Sequence, residues 1–311
     1  MAAMDELAVG VRRLTIPLPI PPSHVHCYVI RGDAGWLLVD TGLGLPDLAP
    51  FLEESLAVPI EAILITHFHP DHVWGSDIAR RVTGASVHQG RLDYEQCERV
   101  WGSRDWPDRI ADWFRFHGVP PQIADDVLEQ GRTVRPLIRF ARDPQLLDEG
   151  DLVEGWEVVE LPGHADGHLG FLRDGVFVVG DHLLPGITPA VGLYPESRPD
   201  PLGAYLASLE RTVELAPRLA LPAHGDPIDD PAGRAREILL HHEQRLAATA
   251  AAIGSEARTG YEVSLSLFGD RFGPSQRRFA VAEALSHLER LVAVGEARRL
   301  GDVVPVTYTA A

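Results

Sequence analysis

Three imidazoles and one carboxylate fall within six positions in the stretch Thr66-His67-Phe68-His69-Pro70-Asp71-His72. Neutral imidazole and carboxylate are the donors that zinc and similar divalent ions prefer. The cluster follows Ala62-Ile63-Leu64-Ile65, a short Ile-rich run bounded by polar residues, which predicts a buried strand. A strand that ends in such a cluster presents the side chains from a loop and holds that loop still. His67 and His69 alternate across an extended segment and can reach one ion. Asp71 and His72 stand where the chain turns into a helix and can reach a second. The plain alternative is a solvated His-rich loop.

The pattern His67-x-His69-x-Asp71-His72 resembles the signature of the metallo-β-lactamase fold superfamily of metal-dependent hydrolases. The resemblance implies three more ligands downstream, in the order His, Asp, His. Leu161-Pro162-Gly163-His164, Val178-Val179-Gly180-Asp181 and Leu221-Pro222-Ala223-His224-Gly225 supply them in that order, each just past a strand-like run. It implies an α/β fold, an αββα sandwich, over residues 1–230, with His67, His69 and His164 on one ion and Asp71, His72 and His224 on the other. Asp181 bridges the pair. In such a site two ions sit roughly 3.5–4 Å apart and share a hydroxide, formed because they lower the pKa of water towards about 7. Asp71 aims that nucleophile and is the catalytic candidate; no Ser or Cys nucleophile is needed. The ions implied are two divalent metals, Zn2+ first, with Fe or Mn also compatible. His168, four residues past His164, is structural in the family and stays outside the ligand set. Asp40-Thr41-Gly42, after the strand-like run Trp36–Val39, resembles the family's turn whose Asp supports the metal loop from behind.

Composition limits the partners. A chain of 311 residues can bury a full core in one large domain or two. A net charge of −17 disfavours nucleic acid and anionic membrane surfaces. Two distant cysteines, Cys27 and Cys97, give neither a disulfide framework nor a thiolate metal site. Met1–Gly10 has no secretory pattern and no stretch reaches the roughly 20 apolar residues of a membrane span, so a cytoplasmic protein is expected. The chain has no lysine and no asparagine, a bacterial, GC-rich coding bias in appearance, which removes Schiff-base and Ser-Lys chemistry.

Along the chain, edge strands are expected over Val11–Ile20 and Cys27–Ile30, with His24-Val25-His26 between them as a polar loop or a supporting element at the pocket rim. Residues 90–147 form an insertion, read as a helical pair. Trp101, Trp106 and Trp113 crowd there with Phe114 and Phe116, either as core or as a cap whose aromatics line a substrate pocket. Substrate contact is also open to His182 and Tyr194, which flank the Pro/Gly-rich segment after Asp181.

Past residue 230 a linker helix leads to helix (Thr259–Phe268), helix (Pro274–Val294) and a hairpin turning at Gly301-Asp302. That order is similar to the small C-terminal winged-helix domain on the branch near β-lactamase-like protein 2, and defines a second domain, 231–311. From Arg245 onward eight arginines face seven acids, a balance of 8 − 7 = +1, too even for a DNA-reading stripe. Packing, homodimer formation or shaping the cleft fits the tail better. The carboxylate at 181, in place of the Cys or Ser of most antibiotic-hydrolysing members, points to hydrolysis of a small carbonyl substrate: thioester, lactone or ester. A metal-dependent endoribonuclease or phosphodiesterase is the alternative. A non-catalytic metal-binding regulator working through the winged helix is the third class.

Overall fold

The computed structural model describes residues 4–254, 256–301 and 304–311. The chain divides into two units, one of residues 1–97, 138–189 and 212–234, the other of 98–137, 190–211 and 235–311. Two internal segments, 98–137 and 190–211, thus group with the C-terminal region.

In the first unit, β1 (Asp5–Ala8), β2 (Val11–Pro17), β3 (His24–Arg31), β4 (Trp36–Val39), β5 (Ile60–Ile65), β6 (Ser86–Gly90) and β7 (Gln145–Leu147) form one sheet in sequence order. The pairs are antiparallel up to β4 and parallel beyond it, the parallel steps being bridged by helices. A second sheet has the order β12-β11-β10-β9-β8: β8 (Leu152–Val153), β9 (Trp156–Glu160), β10 (Leu169–Arg173), β11 (Val176–Gly180) and β12 (Leu219–Pro222). Val39, Leu64, Val158, Phe171, Val178 and Leu221 belong to one buried cluster drawn from both sheets, the core of a sandwich. Helices α1 (Leu48–Ser55) and α3 (Ser76–Thr83) pack on each other, and α3 on β5 and β6. Between β5 and α3 lies the single turn α2 (Pro70–Val73). No described helix is long and apolar enough to cross a membrane.

His24–His26 is strand, not loop: the run pairs with Thr15–Pro17, and His26 is buried. Its alternation with apolar neighbours was masked by the prolines that precede it.

Residues 90–147, of which 98–137 belong to the second unit, give three helices rather than two: α4 (Arg91–Val100), which begins in the first unit, α5 (Trp106–Phe116) and α6 (Pro121–Val134). Then come α7 (Pro201–Leu215), α8 (Pro231–Ile253), β13 (Arg258–Thr259), α9 (Gly260–Phe268), α10 (Pro274–Ala293), β14 (Ala297–Leu300) and β15 (Thr307–Ala310). The short strands form a sheet of order β13-β15-β14. Part of the expected hairpin turn, at Asp302 and Val303, lies outside the described residues, as do Met1–Ala3 at the start. The core of this unit joins Phe114, Val127, Val263, Leu285, Leu288 and Tyr308.

Candidate metal centre

Pro70 separates the two halves of the histidine-rich loop. A residue before proline is pushed out of helical conformation, and proline itself is well placed at the first position of a helix. His69 is accordingly extended (φ −63°, ψ 151°), and Asp71 and His72 turn away on α2. His67 and His69 remain on the strand side of this break.

Three imidazoles converge on that side. His67 Nε2 lies 3.0 Å from His69 Nδ1, which lies 2.8 Å from His164 Nε2. Asp71, His72 and His224 form a second group whose ligand atoms all approach within 4.8 Å. Asp181 faces both: its Oδ2 is 3.5 Å from His164 Nε2 and 3.6 Å from His72 Nε2, and its Oδ1 is 3.5 Å from His224 Nε2. Asp71 closes the second group, with Oδ2 3.4 Å from His224 Nε2. The seven residues singled out in the sequence are thus one constellation in space.

Neighbouring groups fix which nitrogen of His67, His72 and His224 faces inward. Thr66 Oγ1 donates to Asp40 Oδ2 (2.8 Å) and so accepts from His67 Nδ1 (3.0 Å), leaving His67 Nε2 a bare lone pair. His72 Nδ1 donates to Asp40 Oδ2 at 2.8 Å, and His224 Nδ1 to the His24 carbonyl at 2.8 Å. Such partners orient a ligating imidazole and raise its basicity. Asp40 also accepts the Thr66 backbone N–H through Oδ1 (2.8 Å), from a left-handed backbone (φ 61°) that Asp tolerates better than most residues. It supports the loop from behind, as the turn Asp40-Thr41-Gly42 suggests. His168 is buried, stacks on His67 at 4.7 Å and accepts the Asp181 backbone N–H at 3.2 Å. Gly180 makes that packing possible, since a Cβ there would meet His168 Nε2 and Thr66 Oγ1 at 2.8 Å.

Electrostatics differ between the two groups. Burial, reinforced by the neighbouring histidines, drives His67 well below the ordinary imidazole range and His69 to about 3. Both are neutral and ready to donate a lone pair. Burial also opposes charge on His72, but Asp40, Asp71 and Asp181 outweigh it and raise His72 well above its usual value. Burial would raise Asp181, yet His72, His224 and His164 hold it well below the carboxylate range. His72 Nε2 and Asp181 Oδ1 are buried with no hydrogen-bond partner in the protein. Inward-facing imidazoles, carboxylates and these two unmatched atoms are a donor set that fits a pair of divalent cations.

The remaining candidates have other surroundings. His182 is buried, with Nε2 2.8 Å from Thr212 Oγ1. In the second unit Trp101 meets the buried Trp106 edge-on at 5.2 Å, and Trp113 and Tyr194 pack against that unit's core. The sequence reading did not find the tautomer-fixing roles of Thr66 and His24. Thr66 adjoins the motif and its hydroxyl is a usable signal; His24 acts through its carbonyl, which any residue would offer.

Residues 20–224 match the metallo-beta-lactamase superfamily, and 246–308 match the family described as metallo-beta-lactamase-like, C-terminal domain. The protein named probable metallo-hydrolase YqjP of Bacillus subtilis (strain 168) is 26% identical, the alignment covering 94% of each chain. The atrochrysone carboxyl ACP thioesterase of Emericella nidulans is 23% identical, covering 86% of this chain and 74% of that protein. The crystal structure of a metallo-beta-lactamase family protein from Thermus thermophilus superposes with a TM-score of 0.83 at 33% identity, over 98% of this chain and 100% of that one. With the sandwich core, the seven converging side chains and a match over two-thirds of its length, the chain belongs to the metallo-beta-lactamase superfamily and is a metallo-hydrolase with an added C-terminal domain.

Proposed function

We propose that this metallo-hydrolase carries two divalent ions, zinc first, and acts on a small carbonyl substrate: a thioester, with lactones and simple esters in the same class. We assign His67, His69 and His164 to one ion, Asp71, His72 and His224 to the other, and Asp181 to both. The observation that supports this most is Asp181 itself, one carboxylate whose two oxygens face histidines of both groups. Ions held there supply a Lewis acid for the carbonyl oxygen and a nucleophile from water at neutral pH. The chain's own contribution is position and proton handling. Asp71, partly open at 23% side-chain exposure, is kept charged because His72 and His224 outweigh its burial. We assign it the role of accepting a hydrogen bond from the nucleophile and aiming it.

The substrate class follows from what the chain lacks and from what it resembles. With a charge of −17 and no lysine, it is a poor host for a polyphosphate chain. One relative bears the name of a thioesterase acting on a carrier-protein thioester, an uncharged carbonyl centre. The α9, α10, β14, β15 order reads as a winged helix without a basic stripe, and we assign it a packing role. Both cysteines are free and buried, which fits a cytoplasmic, reducing location.

No general acid stands beside Asp71 in the assigned set, so leaving groups that depart unprotonated are favoured. Protonating a poor leaving group is worth roughly 10²–10⁴-fold. Zinc-loaded protein should therefore turn over thioesters and lactones fastest, simple esters more slowly and amides least. Inertness towards all of these, together with metal-dependent cutting of single-stranded RNA, would replace the carbonyl assignment with the endoribonuclease one.

A further inference from the structure

The start of α4 touches both loops that carry the three-histidine group. Asp93, fully buried, accepts the backbone N–H of Phe68 through Oδ1 at 2.9 Å. Phe68 is the residue between His67 and His69, so this bond holds the peptide that spaces them. Asp93 Oδ2 accepts from Gln89 Nε2 at 2.6 Å, and Gln89, next to last in β6, lies opposite Ile65 of β5. One turn further on, Gln96 Nε2 donates to Asp166 Oδ2 at 2.9 Å, inside the loop that begins at His164. The same loop rests on the helix itself: a Cβ on Gly167 would stand 2.2 Å from the Asp93 backbone nitrogen. Neither Asp93 nor Gln96 is in the ligand set.

A buried carboxylate is costly unless its hydrogen bonds use it fully. Here both oxygens are used, one on the metal loop and one on the strand beside it. The group of Asp71, His72 and His224 is held by other means: Asp40 behind His72, Thr41 Oγ1 donating to the His72 carbonyl at 2.7 Å, and the His24 carbonyl behind His224. Asp40 also reaches His67 through Thr66, whereas the α4 contacts through Asp93 and Gln96 fall on the three-histidine side.

We infer that Asp93 and Gln96 are positioning residues for the three-histidine group alone, a brace on α4 that sets the spacing of His67, His69 and His164. The inference rests on the ligand assignment above. It makes metal affinity divisible: weakening α4's grip loosens one ion and leaves the other.

The test is Zn2+ binding to the full chain, titrated against a chelator of known affinity, so that two stoichiometric classes are resolved. Loss of such an outer partner typically costs 10–100-fold in metal affinity. In Asp93→Ala one of the two ions should weaken by that factor while the other keeps its wild-type affinity. Asp93→Asn retains an oxygen for the Phe68 N–H and should restore most of the loss. Gln96→Ala and Gly167→Ala should weaken the same ion, and they carry the test if Asp93→Ala does not fold. Two unchanged affinities across these variants, or an equal loss of both ions, would overturn the brace. Wild-type protein that binds fewer than two ions would instead overturn the ligand assignment, and the brace with it.

Discussion

At the scale of single residues, the site is built from side chains that each do one thing twice. Asp181 addresses both groups, and Asp40 fixes His72 while holding Thr66, which in turn fixes His67. Asp181→Ala should therefore lose both ions, not one, and elemental analysis of the purified variant checks it; a variant that keeps one ion at full occupancy would mean no bridge. Away from the site, three buried histidines of the second unit bear on acid stability. Burial holds His117 and His242 at about 3 and His287 at about 4. Unfolded, each takes a proton near pH 6.5. Between about pH 6.5 and 4 the unfolded chain thus binds more protons, and stability falls as pH falls, by about 1.4 kcal/mol per pH unit for each fully linked proton. These histidines add no such pH dependence above that window. His117→Phe should flatten the fall by up to one proton, measured as the difference in denaturant midpoints at pH 7 and pH 5.

Elements were legible where their signals are local. The metal loop announces itself because its strand, its Pro70 break and its ligands are contiguous, and α7 has the boundaries that its recurring Leu202, Tyr205, Leu206 and Leu209 indicate. The start of α9 is equally local. Thr259 and Glu262 form a reciprocal capping box, the Glu262 N–H to Thr259 Oγ1 at 3.2 Å and the Thr259 N–H to Glu262 Oε2 at 2.8 Å. Thr259→Ala should cost about 1 kcal/mol of unfolding free energy, read from denaturant titration, with metal content unchanged. Illegible were contacts made across the fold. Asp93 reads as one more acid in a charged helix, since its partner Phe68 is 25 residues away and offers only a backbone N–H. The His24–His26 strand was hidden for a related reason: prolines crowd the stretch before it, and pairing with β2 decides its conformation.

For the whole molecule, charge and connectivity matter most. A charge of −17 with a near-neutral tail predicts no sequence-specific duplex binding at physiological salt. A mobility-shift assay should show none at nanomolar protein; a specific shift there would favour a regulator over an enzyme. Residues 98–137 and 190–211 group with the C-terminal region, and neither segment carries a marker in the sequence of the core it joins. That membership has a consequence for cutting and pasting the gene. The polypeptide passes between the two units at 97/98, 137/138, 189/190, 211/212 and 234/235. One nick at any of these points leaves the two units still joined through the other four crossings. A protease working on the folded protein would leave nicked chains that migrate as one particle until denatured. Likewise, a truncation after residue 234 keeps all seven ligands yet strands two fragments of a core whose largest share has been removed.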